Sequence, residues 1–395
     1  MINRRNLLGA AAAAGTAITS ALTGRAASAQ TGSYDLEPRG SVGRLERLPS
    51  LDVESRDDFL AGYRIWQARQ LGPSARDRCN AILAAHGLNP RDDIPLRRIL
   101  ELVADDPLIG TQAHARVWVH NFMHENFQTF LHANADGYLE ELAAADTAGP
   151  GTLELNPEMD IPEYATHEIH TQPGGYVGEA FAGHIYHYST NNFYARLPEG
   201  NDQDELHASL ARDVPLPADG QVRRILDLGC GIGQLTVALK ERFPEAEVWG
   251  LDIGAPMLRY GHMRAVDLGV DVHYAQRLAE DTRFPDGHFD MVVSYILHHE
   301  VPAQISQQIV TETHRILRPG GFYFPIDFYT GSKRRTDAFS TLGEWRDHRW
   351  NNEVWRMEYA GLDFPQAMRQ AGFDVNEQGP AVWRSRHNLI GVKPA

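Results

Sequence analysis

Ile225-Leu226-Asp227-Leu228-Gly229-Cys230-Gly231-Ile232-Gly233 reads as a buried strand running into a glycine-rich turn, after which Leu235–Lys240 opens a helix. Glycines at such a turn let the backbone approach a ligand closely and aim the helix N-terminus at it. Asp252 follows Gly233 by 19 positions, at the end of the next apolar run. In dinucleotide-binding folds an acid takes ribose hydroxyls at an offset of roughly 20 residues. Outward from this stretch the chain alternates strand-like runs (Arg224–Leu228, Glu247–Leu251, Asp290–Ser294, Phe322–Ile326) with helical ones (Leu235–Phe243, Ala303–Leu317). That alternation predicts an α/β domain with a mainly parallel sheet covered on both faces. The closing run from Phe364 to Val392 reads helix, strand, strand.

On physics alone the turn leaves a nicotinamide dinucleotide and S-adenosylmethionine both open. The spacing begins to separate them, because no glycine stands where a G-x-G-x-x-G fingerprint needs its third, and an acid precedes the first glycine. A dinucleotide needs a loop shaped around pyrophosphate, whereas an ammonium and a sulfonium suit an acid such as Asp227.

Five motifs in order carry a family resemblance: Leu226–Gly233; Gly250-Leu251-Asp252 with Met257-Leu258; Ala279-Glu280-Asp281 before Phe284-Pro285-Asp286-Gly287-His288-Phe289-Asp290; Leu297-His298-His299; and Leu317-Arg318-Pro319-Gly320-Gly321. The sequence resembles the class I S-adenosylmethionine-dependent methyltransferases, in the small-molecule branch that includes the ubiquinone and menaquinone methyltransferases. The resemblance implies a Rossmann-like seven-stranded sheet over residues 220–395. It also implies that Asp227 and the loop of Gly229, Cys230, Gly231 and Gly233 receive the methionine part of S-adenosyl-L-methionine and that Asp252 takes the ribose hydroxyls. Ile253, Met257 and the Leu278-Ala279-Glu280 segment would border the adenine, and Ser294 would close the strand end. The family often has an acid where this chain has Leu278. Relatives that methylate amide or base nitrogens carry an Asn/Asp-Pro-Pro-aromatic turn after the fourth strand, and this chain has Ser294-Tyr295-Ile296-Leu297-His298-His299 instead. A small-molecule acceptor is therefore expected.

His298, at the carboxyl end of a strand, is the first candidate for a general base, with a packing histidine as the alternative. The stretch 147–219, dense in Tyr, His and Gly, is read as a connector that folds over the site as a lid. Tyr176 and His170 are its candidate catalytic residues, and Tyr186, Tyr188 and Tyr194 either close over the sulfonium or anchor the loop. Trp345, Trp350, Trp355 and Tyr359 either wall the acceptor pocket or pack an added helix. The histidine pair His120 and His124, and the cluster His167, His170, His184 and His187, lack cysteine partners and any His-Glu-x-x-His motif, so no metal is expected.

Upstream, residues 55–146 have helical periodicity behind an N-cap at Ser55 and form an α-helical domain, preceded by a linker over residues 30–54. Residues 1–29 read as a targeting segment. Arg4-Arg5 opens a weakly hydrophobic run ending in Ala27-Ser28-Ala29, which resembles a twin-arginine signal peptide and implies a periplasmic protein if the leader acts, a cytoplasmic one otherwise. Only Cys79 and Cys230 are present, so no disulfide framework is expected. The formal net charge of −15 disfavours a nucleic-acid partner, and the one dense basic cluster, Lys333-Arg334-Arg335, is short. No stretch reads as a membrane span. Three functions stay open: methyl transfer to an O, N or C nucleophile of a small molecule, non-methyl chemistry on the same cofactor, and ligand binding without turnover.

Overall fold

The computed structural model describes residues 38–194, 202–328, 337–382 and 386–395. The leader, the first residues of the linker and Lys333-Arg334-Arg335 lie outside the described residues.

The linker gives way to structure earlier than its composition suggested. Ser41–Val42 pairs antiparallel with Leu45–Glu46, and Leu45 and Leu48 are buried. Helix α1 runs Leu51–Trp66, a turn before the expected start, because Ser50 rather than Ser55 caps it: Ser50 Oγ accepts from Val53 N at 3.4 Å. Asp52 and Glu54 in its first turn complement the helix dipole. Helices α2 (Gly72–Ala85), α3 (Leu96–Val103), α4 (Pro107–Ala133) and α5 (Ala135–Ala145) follow. Asp106 caps α4 by accepting from Leu108 N and Ile109 N, each at 3.1 Å.

The connector divides in two. Thr152–Glu154 forms strand β1, which joins the edge of the main sheet parallel to His273–Gln276. Further along it forms helix α6 (Ala182–Tyr194), whose Phe181 end, Ile185 and Tyr188 pack into the core of α1 and α4. Ala182 packs with Tyr260 on the other side. Gly183 permits that second contact, since a Cβ there would stand 2.4 Å from Tyr260 Cβ. Residues 182–194 are thus a buried bridge, and a lid over all of 147–219 does not fit this burial.

After helix α7 (Gln203–Asp213) come β2 (Arg224–Leu228), α8 (Gln234–Arg242), β3 (Glu247–Asp252), α9 (Ala255–Leu268), β4 (His273–Gln276), β5 (Phe289–Tyr295), α10 (Ala303–Ile316) and β6 (Leu317–Ile326). Helices α11 (Ala338–Trp350), α12 (Arg356–Gly361) and α13 (Phe364–Gln370) precede β7 (Asp374–Asn376) and β8 (Ile390–Val392). Among the described residues the main sheet has eight strands in the order β1-β4-β3-β2-β5-β6-β8-β7, with β8 antiparallel to both neighbours. Six of them match runs read as strands in the sequence, β4 completes the seven that the resemblance implied, and the eighth is the edge strand from the connector.

Strand periodicity explains why the sheet is buried on both faces. Ile225, Met291, Val293, Phe322 and Phe324 belong to one core, while Leu226, Leu228, Val292 and Tyr323 belong to the opposite one. The helical domain is not separate from the rest: Ala338 and Leu342 of α11 pack with Ala75, Cys79, Ile99 and Ile109. The insertion after β6 therefore completes the helical core, and its Trp345 packs there too.

Candidate functional site

At the carboxyl end of β2 the chain turns through Gly229, Gly231 and Gly233, all left-handed with φ of 70°, 55° and 70°. Gly233 caps α8, and a Cβ there would stand 2.0 Å from Tyr274 Oη, so both conformation and space demand glycine. The Asp252 carboxylate fixes the turn: Gly231 N donates to Oδ2 and Gly254 N to Oδ1, each at 2.8 Å. Gln276 Nε2 donates to Ile253 O at 3.0 Å, and Tyr164 Oη donates to Glu280 Oε1 at 2.5 Å, tying the connector to the segment after β4.

These groups open on a cavity of about 530 Å³. Gly229, Gly231, Asp252, Ile253, Met257, Leu278, Ala279 and Glu280 line it, as the motifs implied. Asp227, Cys230, Gly233 and Ser294 do not line it. Asp227 stands behind the turn, where Thr236 Oγ1 donates to its Oδ2 at 2.7 Å and Oδ1 is buried without a hydrogen-bond partner. Burial pushes its pKa up to about 7, against the Thr236 bond. Cys230 is a free thiol beside Gly250, and Ser294 bonds the Tyr323 hydroxyl at 2.7 Å inside the sheet.

A family model described as a methyltransferase domain matches residues 225–321. A ubiquinone/menaquinone biosynthesis C-methyltransferase of Ralstonia pickettii is 30% identical over 169 residues, which cover 39% of this chain and 68% of that protein. The chain belongs to the class I methyltransferase family. A demethylmenaquinone methyltransferase of Thermus thermophilus is 36% identical over 117 residues, 30% of this chain and 52% of its own length. A fatty-acid O-methyltransferase of Mycolicibacterium smegmatis is 30% identical over 149 residues, 38% of this chain and 50% of its own. The chain thus spans about half the length of several curated relatives it matches. Among solved structures, a Haemonchus contortus phosphoethanolamine N-methyltransferase 2 with S-adenosyl-L-methionine aligns over 51% of this chain and 54% of its own at 17% identity, with a TM-score of 0.36.

Beyond Gly229, Gly231 and Asp252 the cavity continues into a chamber walled by the helical domain, the connector and α11. Tyr176 and His170 line it. His298 does not. Its Nδ1 lies 2.8 Å from Ser306 Oγ and its Nε2 2.5 Å from Tyr323 Oη, with the ring against Phe364, and burial pushes its pKa down to about 4. The packing alternative is the correct one for this residue. The neighbour His299 faces the cavity instead. Ile296 is the reason: a left-handed β-branched residue (φ 56°) at the end of β5 breaks the strand's alternation, so the side expected for each following residue no longer holds.

His299 Nδ1 lies 2.7 Å from Asp327 Oδ1, and its Nε2 3.4 Å from Glu300 Oε1. Burial opposes its charge, yet Asp327 and Glu300 raise its pKa to about 10, so it is an imidazolium and not a base at neutral pH. The residues that only the fold could assemble here are His299, Glu300, Arg64, Arg116, Asp347 and Glu353. The aromatic side chains Trp345, Trp350, Trp355 and Tyr359 do not line the cavity; Tyr359 is core, and Trp355 Nε1 donates to Tyr164 O at 3.1 Å. Tyr186 and Tyr194 do line it, whereas Tyr188 packs into the helical core.

The histidines contact neighbouring side chains. His120 Nδ1 lies 2.5 Å from Asn351 Oδ1, His187 Nδ1 2.8 Å from Tyr260 Oη, and the His184 ring lies tilted against Tyr260. Among the described residues no group of three or more His, Cys, Asp or Glu is arranged to hold a metal ion.

The His299–Asp327 pair gives stability a defined pH dependence. A histidine pKa raised from 6.5 to about 10 contributes fully below pH 6.5 and loses its contribution as pH climbs to about 10. Asp327, whose pKa burial raises but His299, His298 and the Phe328 backbone together lower, contributes above pH 3.8 and is lost on acidification below it. Melting temperature should therefore fall from pH 6.5 to 10 more steeply in the native protein than in His299→Gln. Parallel profiles would show the pair is not ionised in the folded state.

Proposed function

We propose that this protein is an S-adenosylmethionine-dependent methyltransferase acting on a small molecule. The observation that carries the reading is one continuous cavity that joins Gly229, Gly231 and Asp252 to a chamber of titratable and aromatic side chains. The residues at the glycine end fit the group: a turn of left-handed glycines that exposes backbone, and an oriented carboxylate at Asp252. Gly229 and Gly231 would meet the methionine part, Asp252 the ribose, and Ile253, Leu278 and Ala279 the adenine, with Tyr164 holding Glu280 at the edge. When bound, S-adenosylmethionine supplies a methyl group activated by a sulfonium. The chain's own contribution is to orient the acceptor and exclude water, which accelerates an in-line displacement by fixing its geometry.

Small acceptors suit the chamber, since its walls come from three parts of the chain and leave a cavity of ligand size rather than an open groove. The net charge of −15 opposes a nucleic-acid substrate, and no helix among the described residues is long and apolar enough to cross a membrane. Calorimetric titration with S-adenosylhomocysteine tests the reading. A single site is expected, and absence of binding would overturn it.

The twin-arginine leader supports a periplasmic location. Arg4-Arg5→Lys-Lys should trap the protein in the cytoplasm, because that route needs the arginine pair and a general secretory leader needs only positive charge. Equal periplasmic yield from both forms would exclude the route.

A further inference from the structure

We infer that the chamber receives an organic ammonium as methyl acceptor, held through the Glu300 carboxylate against the aromatic wall. The inference rests on the methyltransferase reading and adds to it the chemical class of acceptor.

Glu300 follows β5 directly and lines the cavity. Its Oε1 lies 3.4 Å from His299 Nε2 and 3.5 Å from His170 Nε2, while Oε2 is buried with no hydrogen-bond partner. A buried carboxylate oxygen without a donor is costly, so a donor from a ligand is the missing partner. Burial works to protonate Glu300, but the His299 imidazolium holds its carboxyl below the ordinary range. The charge is therefore present before a ligand arrives.

His170 does not supply that donor at hydrogen-bond distance, and Asn351 shows why. Asn351 Nδ2 lies 3.2 Å from Glu353 Oε1, which can only accept, so the amide nitrogen is the atom that also faces His170 Nδ1 at 2.9 Å. His170 Nδ1 then accepts, and its proton sits on Nε2, 3.5 Å from Glu300. Position 170 is itself left-handed, with φ 53°, and held there against its preference.

A second polar atom in the cavity wall is unfilled. His124 is 2% exposed and its Nδ1 has no hydrogen-bond partner. Burial pushes its pKa down to about 3, so it brings no charge of its own. A bond from its ring to the Thr171 backbone leaves Nδ1 as the lone-pair nitrogen. An ammonium carries several N–H donors and can serve more than one such acceptor; a hydroxyl carries a single donor.

Two of the chamber's cations are held in ion pairs and a third lies over an aromatic ring. Arg116 pairs with Asp347 at 2.8 Å, His299 with Asp327 at 2.7 Å, and the Arg64 guanidinium lies 4.4 Å over the Phe193 ring. Burial, helped by the Asp347 charge, pushes the Glu353 pKa up, while Glu300 Oε2 is the buried carboxylate oxygen of this wall left without a donor. Tyr176 and Tyr186 meet edge to face at 5.6 Å, and both phenols are pushed up chiefly by burial and further by neighbouring charge that includes Glu300. Aromatic faces beside a carboxylate attract a cation. An anionic acceptor would meet Glu300's repulsion, and a neutral alcohol would leave its charge unanswered.

An ammonium has no free electron pair until one N–H bond breaks, so the bound cation loses a proton to water before transfer, the pair staying on nitrogen, and Glu300 serves to bind and orient it.

Benzylammonium, benzoate and benzyl alcohol, titrated into protein saturated with S-adenosylhomocysteine, test the inference. Benzylammonium should bind at least tenfold more tightly than the other two. Glu300→Gln should erase that preference and Glu300→Asp should keep part of it, with S-adenosylhomocysteine affinity retained in both as the check on folding. Benzoate or benzyl alcohol binding as tightly, no binding of benzylammonium, or a preference indifferent to Glu300→Gln would overturn the ammonium assignment while leaving the methyltransferase reading intact. Failure to bind S-adenosylhomocysteine would instead sink that reading, and the same three probes on the free protein would then decide the ammonium preference alone.

Discussion

Asp252→Ala should weaken S-adenosylhomocysteine binding by about 1.5–3 kcal/mol, on the order of 10- to 100-fold. The carboxylate has two tasks in this structure. It faces the cavity, where it can accept from ribose hydroxyls, and it holds the turn by accepting from Gly231 N and Gly254 N at 2.8 Å each. Alanine removes both. Asp252→Asn separates them in part, because an amide places an NH₂ against one of those two backbone donors and so disturbs the turn while keeping an oxygen for the ligand. Calorimetry reads the affinity and thermal melting reads the turn. Unchanged affinity in a folded Asp252→Ala protein would remove this residue from the cofactor site.

Gly233→Ala should carry the largest stability cost in the domain. A left-handed backbone costs a non-glycine residue about 1–2 kcal/mol. The added Cβ would also stand 2.0 Å from Tyr274 Oη, and Tyr274 is wholly buried in the sheet core with little room to retreat. Overpacking of this kind costs about 1–3 kcal/mol, so the sum is roughly 2–5 kcal/mol. The displaced turn should lose cofactor product at the same time, because Gly231 lies two residues away on the cavity wall. A lower melting temperature with parallel loss of S-adenosylhomocysteine binding is the expected result; an unchanged melting temperature would mean that the turn relaxes freely.

What the sequence reveals of this molecule follows from how its parts are encoded. The sheet was legible because its strands are buried on both faces, so Ile225-Leu226 and Met291-Val292-Val293 are unbroken apolar runs. The cofactor side was legible because its residues are contiguous: a turn, the end of the next strand and a short segment after the third. Strand β1 was not, since three residues with one half-buried side chain carry no usable alternation. Leu45 and Leu48 were hidden in a stretch whose glycine, proline and charge suggested a linker. The acceptor side was least legible, because Arg64, Arg116, Glu300 and Glu353 come from four separate segments. The choice between His298 and His299 turned on one backbone conformation, that of Ile296, which nothing in its side chain announces.

The packing of α11 against α2 and α4 bears on how such an enzyme can change over time. The proposed donor side of the cavity lies between Gly229 and Glu280, whereas the far wall of the chamber is contributed by α1, α4, α6 and the α11 insertion. Substitutions that retarget the enzyme to a new acceptor can therefore accumulate in the helical wall without passing through variants that lose the methyl donor. The joint between the two is less forgiving. Because α11 belongs by sequence to the catalytic half and by packing to the helical half, exchanging whole N-terminal segments between relatives would succeed only when this helix travels with them.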